Sequence, residues 1–245
     1  MLQHTLLSLV LLLQCQSRDR WTTQLSQHIC RSKDQVISAT RTLANSGFHK
    51  DLTTNLELEE IPRAFFLENT TSHFYMDIDQ IKEGLFLGYP PVFPDDPIDV
   101  EQPADSSPAH IVGVLCETHH VTLPVHHRYQ PAGSQPYSTV CIPFPRVFIP
   151  VVTPEDHPDL DKGMEQVEKD RGCKLLHAPC GVTALPECGW EEVTVVGVED
   201  VCSAVPVGMS QHLPIVEITA VAAVFVGFSA IVYVMFCRKE KSKAT

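Results

Sequence analysis

Two apolar segments stand near the ends of the 245-residue chain, and a longer segment of mixed polarity separates them. The first covers residues 6–13, a length that is typical of a secretory signal peptide and too short to span a bilayer. We predict that residues 1–17 form a signal peptide, because Cys15 and Ser17 place small side chains at the −3 and −1 positions of a cleavage site. The alternative is a buried N-terminal helix, since residues 1–5 carry no Lys or Arg.

The second apolar segment, residues 218–237, has no charged side chain. As a helix it would be about 30 Å long, which matches the hydrocarbon core of a membrane. The basic residues that follow it are Arg238, Lys239, Lys241 and Lys243. An excess of Lys and Arg marks the cytosolic end of a span. We therefore predict a type I single-pass protein, with a lumenal domain over residues 18–212, a transmembrane helix over 213–237 and a cytosolic tail over 238–245.

Residues 121–129 alternate with a period of two, which indicates a strand with one buried face. The side chains predicted to face inward are Val121, Leu123, Val125, His127 and Tyr129. Those predicted to face solvent are Thr122, Pro124, His126 and Arg128. Pro124 has no N–H to donate to a neighbouring strand, so it predicts a sheet edge or a bulge.

Shorter patterns complete a mainly β domain. β-Branched runs between turn residues predict further strands over 111–115, 140–149 and 193–198, and another around Leu56 and Leu58. Residues 159–171 are highly charged and predict a short helix, whereas the Pro- and Asp-rich residues 90–108 predict an extended loop with little core. We expect a lumenal β-sandwich-like domain with a disulfide-stapled C-terminal part, followed by the single transmembrane helix.

The charge distribution excludes one class of function. The formal net charge is −12, and because the last eight residues carry +3, the rest of the chain carries −15. A protein that binds nucleic acid through a basic face needs clustered Lys and Arg to neutralise phosphates. We therefore expect no nucleic-acid partner.

The predicted lumenal domain contains seven cysteines, which are Cys30, Cys116, Cys141, Cys173, Cys180, Cys188 and Cys202. An oxidising lumen favours disulfides, and the spacing within residues 173–188 fits no zinc finger or ribbon. The connectivity stays open at this stage, although we expect residues 173–202 to staple the C-terminal part. Because seven is odd, at least one thiol has no partner within the domain.

Two short motifs bear on processing and location. Asn69 begins the sequon Asn-Thr-Thr, which translocation would make available for N-glycosylation. Lys241 and Lys243 stand five and three positions from the C-terminus, as in a dilysine signal for retrieval to the endoplasmic reticulum. A plain stop-transfer cluster of basic residues is the equally weighted alternative.

Two sets of residues could in principle bind a metal. Asp77 and Asp79 have the Asp-x-Asp spacing of metal-dependent glycosyltransferases, but no nucleotide-binding pattern surrounds them. Four histidines lie close together in sequence, at positions 119, 120, 126 and 127, without the spacing of a zincin helix. We interpret these histidines as residues that order a sheet face through hydrogen bonds. We predict no catalytic residues, no metal and no cofactor.

Several segments together resemble the phosphatidylinositol-glycan class X family (PIG-X / Pbn1). They are residues 47–52 (Gly-Phe-His-Lys-Asp-Leu), 73–77, 123–129 (Leu-Pro-Val-His-His-Arg-Tyr), the Cys-rich stretch 173–190 and residues 205–208. The 123–129 segment is the most specific of them. The motif positions that match are Gly47, Phe48, His49, Asp51, Leu123, Pro124, His126, Arg128 and Tyr129.

The resemblance implies a non-catalytic subunit of glycosylphosphatidylinositol mannosyltransferase I in the membrane of the endoplasmic reticulum. Its partner would be the polytopic catalytic class M subunit, which adds the first mannose to the anchor precursor. We expect contacts with that partner through the membrane helix and the strand 121–129, with Arg128 exposed for binding and Tyr129 buried in a structural role. The alternatives are a type I cell-surface receptor or adhesion ectodomain, and a lumenal enzyme that uses Asp77 and Asp79 or the histidines.

Overall fold

The computed structural model describes residues 20–57, 63–94 and 97–241. The predicted signal peptide, Leu58 and Lys243 lie outside these residues. The chain divides into two compact units, of which the first comprises the described residues of Met1–Gln130 and Thr139–Val205. The second comprises those of Pro131–Ser138 and Pro206–Thr245.

Twelve strands and four α-helices are present in the described residues. The strands are β1 (Arg31–Ala44), β2 (His49–Glu57), β3 (Ala64–Thr70), β4 (Phe74–Tyr75), β5 (Val92–Pro94), β6 (His110–Cys116), β7 (His120–His127), β8 (Tyr137–Ile142), β9 (Arg146–Val152), β10 (Leu176–Pro179), β11 (Glu187–Val196) and β12 (Val201–Pro206). The helices are α1 (Arg20–Leu25), α2 (Ile78–Glu83), α3 (Leu160–Arg171) and α4 (Leu213–Lys241), with short 3₁₀ helices at Gly84–Leu87 and Ser210–His212.

Ten of the strands form one sheet, in the order β4-β7-β2-β1-β11-β9-β3-β6-β5, with β10 paired to β11. The pairs are antiparallel except that β1 and β11 run parallel. Strands β8 and β12 form a separate two-stranded sheet. The expectation of a mainly β domain is confirmed.

The large sheet curls on itself, so that its two ends share one hydrophobic core. Leu123 and Val125 of β7, near one end of the sheet, are buried in the same cluster as Val112 and Val114 of β6, near the other end. Burying both apolar faces against each other removes them from water, which is the main favourable contribution to folding. The two layers expected of a sandwich are therefore halves of one continuous sheet.

The opposite side of the sheet carries a second core, formed around Trp21, Phe65 and Trp190. The Trp21 and Phe65 rings lie 5.5 Å apart, and the Phe65 and Trp190 rings are separated by the same distance. Helix α1 belongs to this core because its only buried residue is Trp21. Both tryptophans of the chain are thus buried in the first unit.

A buried ion pair links β1 to β3, two strands that are not neighbours in the sheet. Arg41 Nη2 donates to Glu68 Oε1 over 2.5 Å, and both side chains are 1% exposed. Arg41 Nη1 also donates to the carbonyl oxygen of Pro143 over 2.6 Å. This pair spans the curled sheet from one layer to the other.

Three disulfides are formed, and they connect more of the chain than the sequence suggested. Cys30 pairs with Cys173, Cys141 with Cys202, and Cys180 with Cys188. Each of the three includes a cysteine of residues 173–202, as expected for a disulfide-stapled C-terminal part. Cys180–Cys188 closes within that part, whereas Cys173 and Cys202 tie it to the start of β1 and to β8. Cys116 is buried in β6 and is the unpaired thiol of the seven.

The second unit ends in one long apolar helix. Helix α4 has 29 residues. The segment Ser210–Phe236, which includes most of α4, has a mean hydropathy of 2.3 and is the one segment of the described residues long and apolar enough to cross a membrane. Pro214 stands in its first turn, where a missing N–H costs nothing. The apolar segment predicted as transmembrane is therefore helical.

The structure agrees with one element predicted from the sequence and differs from two others. Helix α3 confirms the helix expected over 159–171, with Asp159 as its N-cap. The strand predicted over 140–149 is wrong as a single element, because Pro143 and Pro145 interrupt it and separate β8 from β9. The loop 90–108 contains the short strand β5, whose Val92 is buried in the main core.

Candidate functional site

The two most distinctive motif segments, residues 47–52 and 123–129, lie side by side. Strands β2 and β7 pair antiparallel, with His49 opposite His126 and Leu52 opposite Leu123. Leu52 and Leu123 are both buried in the main core. Just beyond the paired region, the rings of Phe48 and Tyr129 lie 5.1 Å apart. The aromatic, His and Arg side chains at this end of β7 are called the motif cluster, and they are Phe48, His49, Tyr75, His126, Arg128 and Tyr129.

Pro124 sits where the missing N–H does no harm. Besides β2, the one strand of the described residues that pairs with β7 is the two-residue strand β4, and that pairing covers His126 and His127. The Pro124 side of β7 therefore has no further strand to receive an N–H, as expected for proline at a sheet edge.

His126 is the centre of the motif cluster. Its ring stacks on Tyr75 at 5.0 Å and meets the His49 ring edge-on at 4.2 Å. Its Nε2 lies 2.9 Å from Gln80 Oε1, which ties helix α2 to β7. Burial, with a smaller contribution from His49, lowers the pKa of His126 below its usual value. The ring is therefore neutral at neutral pH.

The buried side chain of Arg128 binds the backbone of the loop over residues 99–102. Its guanidinium lies over the Tyr75 ring, 4.8 Å from the centroid, and is 2% exposed. Nη1 donates to the carbonyl oxygens of Asp99 and Gln102 over 2.7 and 2.8 Å. Burial lowers the pKa of Arg128, although Tyr75 and Asp99 partly offset that effect. The charge on Arg128 thus fixes residues 99–102 against the end of β7.

These contacts reverse the orientation predicted for the end of the strand. Arg128, expected to be exposed, is buried, and Tyr129, expected to be buried, is 75% exposed. Pro124 and His126, both placed on the solvent face, are also buried. The Tyr75 ring of β4 and Gln80 of α2 pack against His126 on that face. The alternation fails after residue 127 because β7 ends there, and the N–H of Arg128 instead donates to the carbonyl of His73.

His127 occupies the core face of β7, as predicted, with Nε2 2.7 Å from Ser203 Oγ. Burial, together with the positive charge of Lys50, lowers its pKa to about 4. Between pH 6.5 and about 4 the unfolded chain therefore binds a proton that the folded chain does not.

We expect the stability of the first unit to fall as the pH is lowered through this window, by up to about 3 kcal/mol from His127 alone. The measurement is the free energy of unfolding of the full chain in detergent, followed by the fluorescence of the buried tryptophans at pH 7, 6, 5 and 4. His127→Gln removes the titrating group and should flatten the curve. Equal pH dependence in the two proteins would contradict the assignment.

Two of the remaining candidate ligands, Asp77 and His120, make hydrogen bonds within the fold. Asp77 caps α2, accepting from the N–H groups of Asp79 and Gln80 over 3.2 and 3.1 Å. His120 Nδ1 lies 2.7 Å from Asn55 Oδ1, on the exposed part of β7. Among the described residues, no group of three or more His, Cys, Asp or Glu side chains is arranged to hold a metal ion.

Two other motif residues, Gly47 and Asp51, lie at or next to the turn between β1 and β2. Gly47 lies in that turn with φ of +78°, and Asp51 accepts a hydrogen bond from Asn45 Nδ2 over 2.6 Å. Asn69 is exposed near the end of β3, as a glycosylation site requires. Lys241 is the last residue of α4.

Three residues of the site were not predicted from the sequence: Gln80, Asp99 and Gln102. Asp99 and Gln102 contribute backbone carbonyl oxygens, which no pattern of side chains could reveal.

Only part of the motif cluster reaches solvent. Tyr129 and His49 are exposed, and Phe48, whose ring contacts that of Tyr129, is half-buried. We call these three residues the motif surface. Tyrosine and phenylalanine are enriched at protein interfaces, because a rigid ring covers a large area at little cost in side-chain entropy. The buried residues below hold these rings in place, an arrangement that suits binding.

One comparison with known proteins gives a match. A model of the family described as PIG-X / PBN1 matches residues 45–236, a range that includes the motif cluster and most of α4. No curated protein and no solved structure matches the chain.

Proposed function

The chain belongs to the PIG-X / PBN1 family, whose members act in glycosylphosphatidylinositol-anchor biosynthesis, and on this basis we propose that it is the non-catalytic stabilising subunit of mannosyltransferase I. Its partner is the polytopic class M subunit, which adds the first mannose to the anchor precursor. The single observation that carries the proposal is the family match over residues 45–236.

The geometry of the motif cluster supports a binding role. The guanidinium of Arg128 is buried, lies over the Tyr75 ring and donates to the carbonyl oxygens of Asp99 and Gln102. The imidazole of His126 is also buried, between Tyr75 and Gln80. The exposed residues, His49 and Tyr129, are accessible to a partner. We propose that the motif surface docks on the lumenal side of the class M subunit, while α4 anchors the chain in the same bilayer. Confinement to one membrane raises the effective concentration of each subunit for the other.

The proposed location is the membrane of the endoplasmic reticulum, with residues 18–212 in the lumen and 238–245 in the cytosol. The basic residues after α4 support this orientation. Exposure of Asn69 on β3 supports a lumenal first unit, since glycosylation requires an accessible sequon.

Cells depleted of this protein provide the test. We expect depletion to lower both the level of the class M subunit and the amount of anchored protein at the cell surface, and the wild-type chain to restore both. Tyr129→Ala should restore them poorly and reduce co-purification of the class M subunit by about tenfold, as expected when an interface residue worth roughly 1.4 kcal/mol is lost.

The matched control is Tyr137→Ala, which removes another exposed tyrosine from outside the motif surface. It should behave as wild type, and both variants should accumulate to the wild-type level. Endoglycosidase H should remove the Asn69 glycan, whereas a resistant complex glycan would favour the cell-surface receptor. Unchanged class M levels after depletion would contradict the proposed function.

A further inference from the structure

The segment directly after α2 exposes two large apolar side chains that are neighbours in sequence. Phe86 is 99% exposed and Leu87 is 84% exposed, at the end of the 3₁₀ helix Gly84–Leu87. In the described part of the first unit, no other two exposed large apolar residues are consecutive. We call Phe86 and Leu87 the apolar tip.

The apolar tip stands on a closely packed turn. A side chain at Gly84 would lie 2.1 Å from the Tyr89 ring, so the absence of a Cβ lets that ring pack against the helix. The N–H of Tyr89 donates to the Gly84 carbonyl, and the N–H of Gly88, with φ of +95°, donates to the Leu85 carbonyl. The backbone thus closes directly behind the two exposed side chains.

The base of the tip is fixed to the domain core. Ile81 of α2 is fully buried in the main hydrophobic cluster. Gln80 is held by His126, and Asp77 caps the start of the helix. The exposure of Phe86 and Leu87 is therefore a property of a well-packed element, and burying them elsewhere would require α2 to leave the core.

The chemistry of the tip fits hydrocarbon. Neither Phe86 nor Leu87 has a polar atom in its side chain, and the residues on either side of the pair, Leu85 and Gly88, are uncharged. Phe and Leu are among the side chains that segments at the acyl boundary of a membrane place in the bilayer. Leu is under-represented among the residues that dominate binding energy at protein interfaces.

A bilayer is also within reach. Val205, the last residue of the first unit, and Leu213, the first residue of α4, are eight positions apart in the chain. Eight residues extend over at most about 30 Å. The first unit is therefore tethered close to any membrane that α4 spans, and a weak individual insertion is sufficient because the tether supplies a high effective concentration.

We propose that the apolar tip inserts into the lipid surface of the membrane that α4 spans, as a second attachment of the first unit to the bilayer. This proposal is independent of the proposed function, since it needs no protein partner. It gives the first unit a preferred face toward the membrane, with α2 and the neighbouring motif cluster held near the lipid.

The test uses the full chain in nanodiscs of zwitterionic phosphatidylcholine, whose neutral surface does not repel the acidic protein. The two native tryptophans are buried, so Phe86→Trp adds a reporter at the tip. We expect its emission to shift to shorter wavelength and to lose roughly half of its intensity when the acyl chains are brominated, as for a ring held about 5–10 Å into the headgroup and acyl boundary. Leu87→Trp should respond in the same way.

The control is Val36→Trp, which places the reporter at another exposed apolar position of the first unit, on β1. Its emission should be unaffected by bromination. Quenching of Phe86→Trp and Leu87→Trp no greater than that of Val36→Trp would overturn the proposal. So would a blue shift that occurs only when the class M subunit is reconstituted with the chain and that bromination does not quench, because the tip would then contact protein.

Discussion

Glu68→Gln is expected to cost the first unit about 3–5 kcal/mol of unfolding free energy, because it leaves the Arg41 charge buried without its counter-ion. The substitution keeps the size and shape of the side chain, so the effect reports charge and hydrogen bonding alone. Both partners are 1% exposed, and water therefore cannot replace the lost carboxylate. The measurement is urea unfolding of the full chain in detergent, followed by tryptophan fluorescence at pH 7.

Two further variants separate this effect from a general sensitivity to lost ion pairs. Lys162→Met removes the exposed pair with Asp159 and should change stability by less than about 1 kcal/mol. The double variant Arg41→Met/Glu68→Leu replaces the buried pair with apolar side chains and should recover most of the loss. A Glu68→Gln protein as stable as Lys162→Met would show that the buried pair contributes little.

Loss of the Cys30–Cys173 disulfide is the second large effect that we expect. Its two cysteines are 143 residues apart, so the link greatly restricts the unfolded chain. On the chain-entropy account, the double replacement Cys30→Ser/Cys173→Ser should cost about 5 kcal/mol, enough to unfold many domains. The same unfolding measurement under oxidising conditions gives the value.

Cys180→Ser/Cys188→Ser is the matched control, because it removes another buried disulfide but one with a separation of only eight residues. The shorter loop predicts a loss of about 2.5 kcal/mol. If both double variants lost the same stability, restriction of the unfolded chain would not be the main source of stabilisation by the long-range disulfide.

The sequence predicted elements best where one mechanism dominates the pattern. The strand β7 was found because Val121, Leu123 and Val125 all enter one core, and α4 because a long uncharged apolar stretch has few other structures available. Strand β1 was missed. Its first residues, from Arg31 to Val36, are largely exposed and polar, and its pairing partner β11 lies far away in sequence.

The candidate site was predictable in its residues and not in its geometry. Motif resemblance selected His126, Arg128 and Tyr129, but the period-two rule assigned Arg128 and Tyr129 to the wrong environments beyond the end of β7. The burial of His126 depends on α2 covering the second face of the strand. Such coverage is a property of tertiary packing, which local alternation does not report.

The parallel pairing of β1 with β11 also has a consequence for biogenesis. β1 lies in the middle of the sheet, yet its second neighbour is made roughly 160 residues later, which at about 5–20 residues per second delays that pairing by roughly 8–32 s. During that interval one edge of β1 and the thiol of Cys30 have no partner available. The first unit therefore cannot close while only its N-terminal half has been synthesised, and protection of the open strand edge by chaperones would favour correct folding over aggregation.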